Sequence, residues 1–191
     1  NRPDLNVTVV KDGDTLDLGG KTLTNTGAGK ATITITKDAT ATVKNGSVVG
    51  GTSYYNIQNN GTATFEGLTA TAGNNGSSMV DNWGTLTIES GTYTGGLDTI
   101  KNEPNAKLTV NDGTFTLTKG NSKGYTAVIF NYGDLKINNG MFIQSDTNAP
   151  YGQAQVIHTD KDKDGSSVPS TLITGGTFKN LCTRSTAWTV R

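Results

Sequence analysis

Asp160, Asp162, Asp164 and Gly165 stand in the run DKDKDG, the spacing with which calcium loops set carboxylates around a cation, glycine taking the sharp bend. A complete loop of that kind closes with a bidentate glutamate at its twelfth position, where this chain has Thr171. Lys161 and Lys163 also offset the negative potential. The expectation is therefore a partial Ca2+ site or a solvated polar loop.

Other chemistry is poorly supplied. Lyase chemistry on an acidic polysaccharide needs a basic side chain beside cation-holding carboxylates, yet Arg2, Arg184 and Arg191 all lie near the ends. That leaves Lys161 or Lys163 with the three aspartates as the polysaccharide-cleaving alternative. A glycosidase needs two carboxyls about 5 to 9 Å apart; Glu66 and Glu89 follow equivalent positions on successive repeats. Their column otherwise holds Lys44, Asn111, Asn138 and Thr174, which reads as a solvated stripe. His158 is the sole histidine, and no motif links it to a serine, cysteine or carboxylate, so neither a catalytic triad nor a zinc site has support. Cys182, also single, reads as a small buried apolar residue. Aromatic residues are the better binding candidates: Tyr54, Tyr55, Tyr125 and Tyr151 fall in connections, while Trp83 and Tyr132 fall at an outward position that Glu103 and Asp160 share.

What must position these residues is a repeat. Val80-Asp-Asn82-Trp-Gly84-Thr-Leu86-Thr-Ile88-Glu-Ser-Gly91-Thr-Tyr93 returns as Ile129-Phe-Asn131-Tyr-Gly133-Asp-Leu135-Lys-Ile137-Asn-Asn-Gly140-Met-Phe142. Between them Ile100, Asn102, Leu108, Val110, Gly113 and Phe115 repeat the pattern around a short insertion holding Pro104. Earlier copies pass through Asn59, Ala63 and Phe65, then Ala41 and Val43, and a looser one through Leu16 and Leu18. The last begins at Ile157 and closes with Ile173, Gly176 and Phe178. About seven rungs with a period in the low twenties result. Alternation at period two marks each rung as a half-buried strand, too short to stand alone but able to stack on its copy one turn later. Ala41, Ala63, Leu86, Leu108 and Leu135 then form one inward column and Val43, Phe65, Ile88, Val110 and Ile137 a second. Asn59, Asn82, Asn102 and Asn131 form a third, whose amides bond along the stack. A β-sandwich would not repeat one strand, corner and asparagine at a single period.

Composition agrees. The 191 residues carry zero formal net charge and only three glutamates, while Thr, Asn and Gly abound, a mixture that disfavours helix and suits strands and turns. No Lys/Arg cluster marks a nucleic-acid partner, and no stretch approaches the roughly 20 apolar residues of a membrane span. The chain opens on Asn1, so a processed chain or a fragment is expected. One domain is expected over 1–191, with 1–15 an N-terminal cap, 16–180 the rungs, and 181–191 a C-terminal cap or tail plugged by Trp188.

In these asparagine and aliphatic stacks the chain resembles the right-handed parallel β-helix proteins, the pectate-lyase-like superfold. Its Gly-Gly-Thr-Phe rungs and LDLGGKTLT opening are most similar to β-helical segments of bacterial cell-surface proteins and phage fibres or spikes. The resemblance implies an extracellular, cell-surface or virion-surface module, without enzymatic activity, that presents loops to a glycan or protein receptor. It also implies a homo-oligomer, a trimer or filament, or a place in a larger particle. Polysaccharide lyase or hydrolase activity is the alternative. A minor one is ice binding, from the outward column Thr42, Thr64, Thr87 and Thr109, read as interrupted by Asp17 and Lys136 and lacking a second parallel rank.

Overall fold

A computed structural model describes residues 7–9, 12–25, 29–120, 124–147, 149, 153–162, 164–165 and 167–182. The expected caps before residue 7 and after residue 182, with Trp188, lie outside them.

The described chain is an all-β parallel solenoid whose strands stack in three walls. The first is a seven-stranded sheet of Val7–Val9, Ile33–Ile35, Ile57–Asn59, Val80–Asn82, Ile100–Asn102, Thr126–Asn131 and Ala154–Thr159. The second and third walls share a twelve-stranded sheet, because Thr40–Val49 and Thr62–Thr71 each run through both. The second continues through Thr85–Ile88, Lys107–Val110, Asp134–Ile137 and Ser170–Ile173, and the third through Gly91–Thr94, Thr114–Leu117, Met141–Gln144 and Thr177–Asn180. Asp14–Asp17 and Thr22–Thr24 open these two walls on Thr40–Val49. Every pairing is parallel, and each joins a strand to its copy one turn on.

Register follows the sequence columns. Ala63 faces Leu86, Leu86 faces Leu108 and Leu108 faces Leu135, while Phe65, Ile88, Val110 and Ile137 stack beside them. All these side chains are at most 2% exposed, each contributing on the order of 1.5 to 3 kcal/mol by leaving water. The third wall adds rings: Tyr93, Phe115, Phe142 and Phe178 stack with centroids 5.0, 4.9 and 5.0 Å apart and planes within 8°. Parallel in-register stacking imposes that arrangement, since each ring repeats at the strand spacing. The preceding corner needs glycine. Gly113 has φ +134°, and a β-carbon there would lie 3.0 Å from the Gly91 carbonyl oxygen and 3.1 Å from the Phe115 ring.

The asparagine ladder is present and runs in one sense. Asn59 Nδ2 donates to Asn82 Oδ1 at 2.8 Å, Asn82 to Asn102 at 2.7 Å, and Asn102 to Asn131 at 2.8 Å. Backbone carbonyls take the second amide hydrogen, as Asn102 Nδ2 does on Asp134 O at 3.1 Å. Ile35 and Thr159 occupy this register before Asn59 and after Asn131. Thr159 Oγ1 and Thr171 Oγ1 meet at 2.7 Å, and Thr171 replaces the leucine of its column. The last rung thus swaps an amide and an aliphatic residue for hydroxyls where the coil stops being covered.

Two expectations are corrected. The first copy is shifted by two residues, with Asp14 opposite Ala41 and Leu16 opposite Val43. Leu18 begins the corner, and its N–H donates to Lys44 O. The threonine column therefore extends to Thr15, and Asp17 stands opposite Lys44. A second parallel rank also exists: Thr40, Thr62 and Thr85 stack beside Thr42, Thr64 and Thr87. On the third wall Thr69, Thr92 and Thr114 stack beside Thr71, Thr94 and Thr116.

Candidate functional site: the outer face of the first wall

Period-two alternation that turns the ladder asparagines inward turns the residues on either side outward. One outward column runs Gln58, Asp81, Lys101, Phe130, His158, each opposite the next. The other follows the ladder: Trp83, Glu103, Tyr132 and Asp160 donate their N–H groups to the carbonyls of Asn59, Asn82, Asn102 and Asn131. Two stripes two residues apart along the strands therefore carry three carboxylates, a lysine, a histidine and three aromatic rings.

Stacking decides which of these touch. Asp81 is fully buried although its position faces outward. Its Oδ2 accepts hydrogen bonds from Trp83 Nε1 at 2.8 Å and Gln58 Nε2 at 3.3 Å. Its Oδ1 is buried and receives none. One rung on, Lys101 Nζ lies 2.5 Å from Glu103 Oε1 and 5.6 Å from the Tyr132 ring centroid. Glu103 is only 4% exposed. Burial pushes its carboxyl up to about 7; Lys101 pulls against that shift and contact with Asp81 adds to it. For Lys101 itself burial acts downward, but Glu103 and Asp81 outweigh it and hold the ammonium above its ordinary value. Tyr55 is raised by burial and then by the Asp81 charge, while Lys101 opposes.

A second buried carboxylate borders the face. Asp98 Oδ1 accepts the Ala127 N–H at 2.9 Å and Oδ2 the Ser78 hydroxyl at 3.1 Å. Burial pushes it up to about 6, with Ala127, Ser78 and Lys101 opposing. Further along, Phe130 lies 4.9 Å from Tyr132 and 4.4 Å from His158, which in turn stacks on Tyr125 at 5.0 Å. His158 Nδ1 meets Gln155 Oε1 at 3.0 Å. At the Tyr132 edge a concavity of about 140 Å³ is lined by Asn105, Gly133, Asp134, Ser167 and Val168.

The expected aromatic residues thus converge in part. Trp83 and Tyr125 are half exposed or more on this face, Tyr132 joins them, and Tyr55 is close enough to feel the Asp81 charge. Tyr54 packs edge-on against Tyr55 at 4.8 Å. Tyr151 lies outside the described residues. The connections from third to first wall lengthen from 95–99 through 118–125 to 145–153, but 50–56 and 72–79 are already longer than 95–99, so the growth does not run along the whole coil.

The DKDKDG loop leaves the far end of this face. Asp160 Oδ1 accepts the Lys161 N–H at 2.7 Å and Asp162 O accepts the Gly165 N–H at 2.9 Å, with φ +69° at Gly165. Lys163 lies outside the described residues. Among the described residues, no three His, Cys, Asp or Glu side chains stand where they could hold a metal ion. No helix among them is long and apolar enough to cross a membrane. Glu89 is engaged elsewhere, accepting Asn111 Nδ2 at 2.8 Å, and Glu66 stands opposite Lys44.

The sequence reading names none of Asp81, Lys101 and Phe130, and weighs His158 only for a triad or a zinc site. The signal was present: each directly precedes a ladder register position, so the alignment that finds the asparagines also stacks them. Compared with known proteins, the chain matches no family model, no curated protein and no solved structure.

Proposed function

We propose that this chain is a non-enzymatic structural and binding module, displayed outside a cell or on a virion as part of a surface adhesin or phage fibre. In this reading the outer face of the first wall holds a glycan. The observation that carries the reading is Trp83, half exposed yet pinned by its indole N–H on a fully buried carboxylate. A ring fixed at the surface loses little freedom on binding and offers its face to the C–H side of a sugar. Tyr132 repeats the platform two rungs on, about 10 Å away at the strand spacing, a length two consecutive sugar rings span.

Charge favours a neutral glycan, because Asp81, Asp98, Glu103 and Asp160 outnumber Lys101 and oppose an acidic one. Deep burial of Asp81 and Glu103 speaks for recognition rather than cleavage, since a sugar cannot reach them without displacing the rings. The open last rung, with Ile173 and Phe178 45% and 38% exposed, supports assembly through that end into an oligomer or larger particle.

A glycan panel followed by calorimetry on the best ligand tests this. Trp83→Ala is expected to weaken binding at least about tenfold, roughly 1.4 kcal/mol, with no new reducing ends. Equal affinity in Trp83→Ala and Tyr132→Ala would overturn it, and released reducing ends or unsaturated uronate would establish the lyase or hydrolase alternative. The paired threonine ranks on two walls favour ice binding as a second reading; thermal hysteresis lost in Thr92→Tyr would establish it.

A further inference from the structure

We infer that Asp81 and Glu103 hold one proton between them, and that this proton gates the outer face of the first wall. The starting point is an accounting problem. A fully buried carboxylate oxygen without a donor is destabilising, and Asp81 Oδ1 is in that position while Trp83 and Gln58 both serve Oδ2. A carboxyl that could supply the donor stands one rung on, at Glu103, which is 4% exposed and whose proton affinity the Asp81 carboxylate raises. Register brings them together: Asp81 stands opposite Lys101, and Glu103 follows two residues later on the same face. Glu103 Oε1 faces Lys101, so its other oxygen carries the proton to Asp81 Oδ1.

With the proton in place the pair and Lys101 are together neutral, every oxygen is engaged, and Trp83 is anchored on a satisfied partner. Without it two adjacent carboxylates face a single ammonium and repel each other. Glu103, nearer solvent than Asp81, then swings outward with Lys101 and takes the floor from under Tyr132. The charged and titratable groups facing the pair are Lys101, Tyr55 and Tyr132, with Asp98 acting through Lys101. Neither tyrosine titrates in the neutral range, and as pH falls Glu103, raised to about 7, takes up its proton before Asp98, raised to about 6, so the shared proton is in place before Asp98 discharges.

Its consequence for ligand affinity rests on the proposed function; the proton itself does not, and the experiment separates the two. The chain has three glutamates, Glu66, Glu89 and Glu103, so side-chain carboxyl ¹³C labelling of glutamate gives three titration curves. One is expected with a midpoint at least about one pH unit above the other two, absent in Glu103→Gln and shifted back toward them in Asp81→Asn. Three curves together in the ordinary carboxylate range would overturn the inference, as would a raised midpoint unmoved by Asp81→Asn, which would mean burial alone holds the proton. Gating is read from Trp83 fluorescence in a Trp188→Phe background. Emission should change with the Glu103 midpoint and become pH-independent in Glu103→Gln, whose amide supplies the donor permanently; emission that ignores that midpoint in the parent overturns the gating. If both results hold and no glycan binds, the proposed function fails and the proton pair stands.

Discussion

Asn102 bears more of the fold than its side chain's size suggests. It accepts from Asn82, donates to Asn131 and donates to Asp134 O, all in a buried interior. Asn102→Ala leaves an amide hydrogen on Asn82 without its ladder acceptor and removes one donor each from Asp134 O and from Asn131 Oδ1, which keeps the Gly133 N–H. A loss of about 2 to 4 kcal/mol is expected, against a smaller one for Asn111→Ala, whose half-buried side chain bonds only to Glu89 and Asn138, measured by urea denaturation. Protonation adds a second residue-scale prediction. Asp98 and Glu103 are raised from 3.8 and 4.5 to about 6 and about 7, so the folded state binds their protons more tightly than the unfolded chain. Their contribution is complete below about pH 4 and is lost as pH rises through 7. The melting temperature is expected to fall between pH 4.5 and 7.5 and to fall less in Asp98→Asn combined with Glu103→Gln. The asparagines were legible in the sequence because they recur at one register beside a glycine. Asp81 was not, since nothing in period two says that an outward residue will be covered. The side chains that meet its carboxylate are Trp83, from the end of its own strand, and Gln58, from the strand one turn earlier.

Element by element, a side chain's worth depends on how many rungs lie beyond it. Phe142 is fully buried between Phe115 and Phe178 with rings 4.9 and 5.0 Å away. Phe178 has one ring neighbour among the described residues and is 38% exposed. Phe142→Ala is expected to cost about 3 to 5 kcal/mol and Phe178→Ala under half as much, by chemical denaturation of both. Gly113→Ala belongs at this scale too, because its φ of +134° and the Gly91 carbonyl at 3.0 Å belong to the corner rather than to the residue. A loss of about 1 to 3 kcal/mol follows. Strands, corners and ring column were all readable from the repeat where copies are nearly gap-free. Reading failed at the first copy, where LDLGG offers two leucines that fit the same column. Backbone geometry at Gly19 and Gly20, both with positive φ, assigns Leu18 to the turn, and side-chain type alone does not encode that choice.

For the whole molecule, each rung contacts only its neighbours, so stability is a sum of interfaces and opening starts at an end. The final strands Ser170–Ile173 and Thr177–Asn180 are exposed along their whole length, whereas Leu108 and Val110 are 1% exposed or less. Amide hydrogen exchange is expected to be fastest in 170–180 and slowest in 100–137; uniform protection would contradict a one-dimensional stack. The stacking order followed from the period, but the face that functions did not, because the repeat treats all outward positions alike.

Interstrand hydrogen bonds in this coil lie along its axis, and that fixes how it answers a pull. Tension applied end to end loads one rung interface at a time, so the rod peels stepwise and releases a rung of slack with each rupture. Tension across the axis loads every rung at once and meets far greater resistance. A tether of this build is a shock absorber lengthwise and a rigid strut sideways.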